Sequence, residues 1–192
     1  VMSEVVSLKG PSFDEIPAGR AAMWWVIASE VVIFGGLVAC YLLYRFRFSD
    51  WVEMSQHTST ILGAANTLIL LTSSLFAVLA HDFAVKKDTK RTVRYINLTL
   101  LCGFMFLGIK GVEYAHEIHQ GYTISSPLFW SFYYLMTGLH GLHVIAGMVA
   151  LFTVSLGVRK GRNLHRVELA GLYWHLVDVV WIFLFPLLYI AK

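Results

Sequence analysis

Acidic residues and histidines stand inside several stretches of this sequence that are otherwise apolar. Glu30 lies in AAMWWVIASEVVIFGG, His175 and Asp178 lie in LYWHLVDVVWIFLF, and His140 and His143 lie in TGLHGLHVIAG. Side chains three residues apart share one face of a helix, so each of the last two pairs can act together. Such groups bind protons, hydrogen-bond to a neighbouring helix or coordinate a metal, and within a membrane they are rare and mark functional positions.

The segment GVEYAHEIHQG concentrates further groups of this kind, namely Glu113, His116, Glu117 and His119. Glu113 and His116 form the Glu-x-x-His unit of carboxylate-bridged di-iron bundles, but those bundles need two such units and two further glutamates. Only one unit is present here, at the end of an apolar stretch. We therefore favour a hydrated helix end over a metal centre, although the spacing would also suit a metal ligand set.

The sequence lacks the motifs that would support chemistry by this chain alone. It has no G-x-S-x-G motif, no phosphate-binding glycine loop, no dinucleotide fingerprint and no set of four cysteines for an iron–sulfur cluster. We therefore predict no catalytic residue, no metal ligand and no redox cofactor in this chain.

The elements that position these residues are predicted to be transmembrane helices. Hydrophobic residues make up 57% of the 192 positions and charged residues only 14%, too few to cover a water-soluble domain. An apolar helix needs about 20 residues to cross a hydrocarbon core about 30 Å thick. Five segments are long enough, which predicts an all-α bundle of five spans in a single membrane domain, 1–192: 22–44, 60–80, 94–115, 130–155 and 169–191.

The distribution of basic residues predicts the orientation. Eleven of the 15 Lys and Arg residues fall on one side of the spans, and this excess marks the cytoplasmic side. The N-terminus is therefore expected inside and the C-terminus outside. Because the basic residues flank apolar spans, they indicate lipid headgroups and not nucleic acid. The eleven are Lys9, Arg20, Lys86, Lys87, Lys90, Arg91, Arg94, Arg159, Lys160, Arg162 and Arg166; the other four are Arg45, Arg47, Lys110 and Lys192.

Large aromatic residues near the ends of the spans predict an interfacial belt, as is common at the surfaces of a bilayer. They are Trp24, Trp25, Trp51, Trp130, Trp174 and Tyr189.

Five segments of the sequence together resemble the cytochrome c oxidase subunit III family. They are WHLVDVVWIFLFPLLY (174–189), MTGLHGLHVIAG (136–147), GVEYAHEI (111–118), ASEVVIF (28–34) and NTLILLTSS (66–74). The order and spacing of these segments match as well, from about residue 18 onward.

The resemblance implies an accessory subunit of a proton-pumping haem-copper oxidase that carries no haem or copper itself. Such a subunit packs beside the catalytic subunit I, associates with subunit II and further respiratory subunits, binds phospholipids and supports proton uptake. The matched polar positions are then helix-interface or lipid-facing residues, with no catalytic role: Glu30, Asn66, Glu113, His116, His140, His143, His175 and Asp178.

The resemblance also leaves alternatives. Members of this family occur in a longer form of seven spans, and this chain starts at the third, so its lipid sites are expected to involve helices of another subunit. The five-span form is similar to that of bacterial oxidases, which implies a prokaryotic plasma membrane. Relatives also serve quinol oxidases and nitric oxide reductases. Two other classes remain open, an autonomous membrane metalloenzyme and a proton-conducting transporter using Glu30 and Asp178.

Overall fold

The computed structural model describes residues 18–48, 51–56, 58–125, 127–162 and 164–191. Lys9 and Lys192, which entered the orientation count, lie outside these residues. A π-helical turn, Pro186–Ile190, continues the last α-helix. The α-helices of the described residues are α1 (Ala18–Arg47), α2 (Trp51–Ser55), α3 (Thr60–Val85), α4 (Thr89–His119), α5 (Leu128–Arg159) and α6 (Arg166–Phe185).

Five of these helices are long and apolar enough to cross a membrane, which confirms the predicted all-α, five-span fold class. Each extends past its predicted span at one end or both, because helical hydrogen bonding continues beyond the apolar stretch. Helix α4, for example, runs from Thr89 to His119, whereas the predicted span was 94–115.

Helices α3 to α6 form a bundle in which α3 and α5 each pack against both α4 and α6. Helix α1 lies at the edge of the bundle against α6 and α5 and buries only Phe34 and Tyr41. Arg20 of α1 contacts Glu168 of α6 at 2.5 Å, so these two helices start at the same end of the bundle. We call this the basic end, because the basic segments 86–91 and 159–162 lie there too. We call the opposite end the far end.

Helices α5 and α3 end in the same backbone motif, one at a glycine and the other at a lysine. After α5, the N–H groups of Gly161 and Arg162 donate back to the carbonyls of Val158 and Gly157, and Gly161 adopts a φ of 68°. This is the Schellman motif, whose left-handed residue is normally glycine. Helix α3 ends in the same way at Lys87, with a φ of 59°.

Four of the six aromatic residues predicted for the interfacial belt are buried instead, and for these the prediction was wrong. Trp51 is 3% exposed, and Trp130, Trp174 and Tyr189 are fully buried. The helices turn these side chains toward the bundle, and Trp174, which donates to Ser73 near the middle of α3, also lies away from the span end.

The π-helical turn at the end of α6 results from Pro186, which has no N–H to continue the α-helical hydrogen bonds. The backbone carbonyls of this turn are capped by side chains from elsewhere. Tyr41 donates to Leu187 and Thr60 donates to Tyr189. The hydroxyl of Thr58 lies between the carbonyls of Ser55 and Leu188, and Arg45 donates to Ala191, which follows the turn. These caps fix the turn and hold the Tyr189 ring against the interior.

Candidate functional sites within the bundle

Glu30 of α1 pairs with His143 of α5 across the edge of the bundle. Glu30 Oε2 lies 3.0 Å from His143 Nε2, and the two side chains are 14% and 19% exposed. His143 Nδ1 lies 2.8 Å from the carbonyl oxygen of Leu139, and because a carbonyl only accepts, Nδ1 carries a hydrogen. This close contact joins α1 to α5, although Glu30 Oε2 makes no hydrogen bond among the described residues.

Asp178 and His175 lie where α6 packs against α3, but their surroundings differ. Asp178 is 3% exposed, and within the described part of the chain neither of its oxygens has a hydrogen-bond partner. His175 Nδ1 lies 2.7 Å from the Ser74 hydroxyl of α3. Two neighbouring bonds also join these helices, from Trp174 to Ser73 and from Trp181 to Thr67, each at 3.0 Å. The polar face of α6 thus serves mainly to attach it to α3.

His140 and Asn66 are fully buried in the bundle interior. The described residues provide no hydrogen-bond partner for the polar atoms of either side chain. The rings of Phe106 and Trp181 pack against His140, with centroids 5.5 and 5.2 Å away, and 4.9 Å from each other. His140 therefore belongs to an aromatic layer that crosses the bundle, and His143, three residues later, faces α1.

Lys110 lies inside the bundle near the far end, although its position near a span end predicted a flanking basic residue. It is 6% exposed, and its Nζ lies 2.9 Å from Glu113 Oε2. The same ammonium contacts the hydroxyls of Tyr189 at 2.7 Å and Tyr133 at 3.0 Å. The rings of Tyr114, Tyr133, Trp181 and Tyr189 surround it, with centroids 4.8 to 5.8 Å from Nζ. Lys110 is thus a buried cation, enclosed by one carboxylate and aromatic rings.

The predicted hydrated helix end at 113–119 was wrong for its two glutamates. Glu113 and Glu117 are each 2% exposed, whereas His116 and His119 lie on the exposed face of α4. Lys110, Glu113 and Glu117 follow one another at spacings of three and four residues, so one helix face carries all three inward. That spacing was the signal in the sequence that could have identified this site. We call Lys110, Glu113, Glu117, Tyr133 and Tyr189 the far-end cluster.

The Glu113-x-x-His116 unit does not act as a unit, because Glu113 is buried and His116 is exposed. His116 contacts Gln120 at 2.9 Å on the outside, and Glu113 contacts Lys110 inside. Among the described residues, no group of three or more His, Cys, Asp or Glu side chains is placed to hold a metal ion.

A cavity of about 900 Å³ opens between α1, α5 and α6 at the basic end. Arg20, His165 and Arg166 line its mouth, and the ion pair between Arg20 and Glu168 lies at one side. Ala146 and Ala150 belong to its apolar wall. Cationic groups above an apolar groove are complementary to an anionic headgroup and its acyl chain.

Comparison with known proteins identifies the family of this chain. Residues 18–192 match the family described as cytochrome c oxidase subunit III, which covers all five spans. The chain belongs to the cytochrome c oxidase subunit III family. It is therefore an integral membrane subunit of a haem-copper respiratory oxidase, and this family implies association with other oxidase subunits.

Several bacterial members of the subunit III family are similar over most of their length. Cytochrome c oxidase subunit 3 of Thermostichus vulcanus is 38% identical over 170 residues, 85% of this chain and 83% of the relative. A probable cytochrome c oxidase subunit 3 of Nocardia farcinica is 33% identical over 197 aligned positions, covering 100% of this chain and 95% of the relative. A quinol oxidase subunit 3 of Bacillus subtilis is 29% identical over 171 residues, 87% of this chain and 84% of the relative.

Proposed function

We propose that this subunit III is a non-redox accessory subunit that stabilises a proton-pumping cytochrome c oxidase and supports its proton uptake. One observation carries the proposal: three of the ionisable side chains within the membrane make contacts between helices. Glu30 joins α1 to α5, His175 joins α6 to α3, and Lys110 joins α4 to α5 and the π-helical turn. Such contacts hold a bundle together where lipid provides no hydrophobic drive for helix association.

The partners in this proposal are the catalytic subunit I, which holds haem and copper, and subunit II. The edge helix α1, with its exposed apolar face, is a suitable surface for lipid and for helices of neighbouring subunits. The cavity at the basic end would take an anionic phospholipid, with the phosphate near Arg20 and Arg166. Bound lipid would then connect α1 to the rest of the bundle.

Purification of the native complex through a tag on this chain tests the function. We expect subunits I and II to copurify with a haem spectrum and oxidase activity, and the chain alone, once separated, to hold no stoichiometric iron, copper or zinc. A transition metal that stays on the separated chain after chelation would instead support an autonomous metalloenzyme. Reduced cytochrome c and a quinol, supplied separately to the purified complex, distinguish a cytochrome c oxidase from a quinol oxidase.

We also propose that the basic end faces the cytoplasm of a bacterial plasma membrane. Lys90→Cys at the basic end and Ile124→Cys at the far end, each in a Cys40→Ser background, report this orientation because both positions are exposed. An impermeant thiol reagent added to intact cells is expected to label Ile124→Cys and not Lys90→Cys. Labelling of Lys90→Cys in intact cells would reverse the topology.

A further inference from the structure

The far-end cluster contains more buried acid than buried base. Glu113 and Glu117 are each 2% exposed, and Lys110 is 6% exposed. Two carboxylates and one ammonium would leave a net negative charge in a part of the bundle closed to solvent. An uncompensated buried charge is costly, and proteins avoid it by pairing the group or by changing its protonation.

The hydrogens of Lys110 do not reach Glu117. An ammonium has three hydrogens, and Nζ of Lys110 has three hydrogen-bond partners: Glu113 at 2.9 Å, Tyr133 at 3.0 Å and Tyr189 at 2.7 Å. The donors of the cation are therefore fully used. Both oxygens of Glu117 are left without a hydrogen-bond partner among the described residues.

The hydroxyl groups around Glu117 are also engaged. Tyr134 donates to the carbonyl oxygen of Tyr122 at 2.8 Å. Thr137 donates to the carbonyl of Tyr133, so the 2.5 Å contact between Tyr114 and Thr137 uses the hydrogen of Tyr114. Tyr133 and Tyr189 share a hydrogen across 3.0 Å. Of these hydroxyl groups, only one tyrosine hydrogen of the last pair is left for both glutamates.

We infer that Glu117 is a proton-binding site, which holds a proton while Glu113 remains ionised against Lys110. The proton brings the far-end cluster to charge balance and gives Glu117 the hydrogen that its surroundings do not supply. Glu117 lies two residues before the end of α4, a rise of about 3 Å, so it is close to the aqueous phase at the far end. The aromatic layer of Phe106, His140 and Trp181 separates it from the pair of Glu30 and His143.

Infrared spectroscopy of the assembled complex tests this inference. At neutral pH, the difference between the native complex and a Glu117→Gln complex is expected to contain the carbonyl stretch of one protonated carboxyl group, shifted on exchange into D₂O. Glu168→Gln, which removes a partly exposed carboxylate at the basic end, is the matched control and is expected to remove no such band. A native-minus-Glu117→Gln spectrum without this band would overturn the inference.

A second measurement uses retention of the chain in the complex at different pH values. Because deprotonation of Glu117 would leave its charge unbalanced, retention of the native chain is expected to fall as the pH rises, and retention of Glu117→Gln is expected to stay constant. Equal pH dependence of the two would contradict the proton site. Stoichiometric Na⁺ or K⁺ that is bound by the native complex and lost in Glu117→Gln would also contradict it, since a metal cation would then balance the charge.

Discussion

Lys110→Met is expected to destabilise the subunit by about 3 kcal/mol or more. The substitution leaves Glu113 buried without its cation, and removing one partner of a buried ion pair typically costs about 3–5 kcal/mol. It also removes the hydrogen bonds from Nζ to Tyr133 and Tyr189. The measurement is thermal unfolding of the subunit in the complex in mild detergent, together with its retention during washing.

Two matched variants make this result specific to the far-end cluster. Lys86→Met removes an ion pair with Asp82 whose side chains are 61% and 47% exposed, and it is expected to cost no more than about 1 kcal/mol. The double variant Lys110→Met with Glu113→Gln is expected to recover much of the loss, because replacing both partners leaves no ionised group unpaired. Equal effects of Lys110→Met and Lys86→Met would show that the buried pair contributes no more than a surface pair.

Trp174→Ala is expected to destabilise the bundle by about 2–3 kcal/mol. Trp174 is fully buried and donates to Ser73 at 3.0 Å, and an added Cβ at Gly103 or Gly147 would come within 3.0 Å of its ring. The two glycines therefore form the space that the indole fills. Replacing a buried Trp by Ala in a water-soluble protein typically costs about 3–5 kcal/mol. The loss expected here is smaller because lipid also solvates apolar side chains, but the lost packing contacts and the cavity still destabilise the bundle.

Trp25→Ala is the control for this prediction, since Trp25 on α1 is 75% exposed and removal of its ring opens no cavity in the bundle. Unfolding in detergent at increasing temperature compares the two variants. If Trp174→Ala unfolds at the same temperature as Trp25→Ala, the contact between α6 and the two glycines does not stabilise the bundle.

Much of the fold could be predicted from the sequence because an apolar run of sufficient length indicates a transmembrane helix. The rotation of each helix about its axis could not be predicted. The side chains that face the bundle interior and those that face lipid are both apolar. The helical periodicity of apolar residues therefore does not distinguish the buried face from the lipid-facing one. Trp174 and Tyr189 were placed at the membrane surface for this reason, although both are buried.

The polar residues of the candidate sites could be identified from the sequence, but the contacts between them could not. Glu30 was predicted to lie within a span, but its neighbour His143 was not, because that contact depends on how α1 docks against α5. The far-end cluster was missed because Lys110 was counted as a flanking residue, and Tyr133 and Tyr189 come from distant parts of the chain. Its inward face was nevertheless encoded by the spacing of Lys110, Glu113 and Glu117.

The replacement of Glu30 separates an accessory role from a catalytic one. In Glu30→Gln the amide keeps the shape of the side chain and its contact with His143 Nε2, so assembly should survive at a cost on the order of 1 kcal/mol. Glu30→Ala leaves the imidazole without its partner, and we expect this variant to lose subunit or lipid retention in detergent.

Initial turnover of the freshly assembled Glu30→Gln complex is the most direct test of the accessory function. We predict a rate near that of the native complex, because the proposed function assigns the oxygen chemistry to a partner subunit and makes Glu30 a contact between helices. A fall of about 100-fold, typical of removing a direct acid or base, would make Glu30 an obligatory proton carrier and contradict the accessory role.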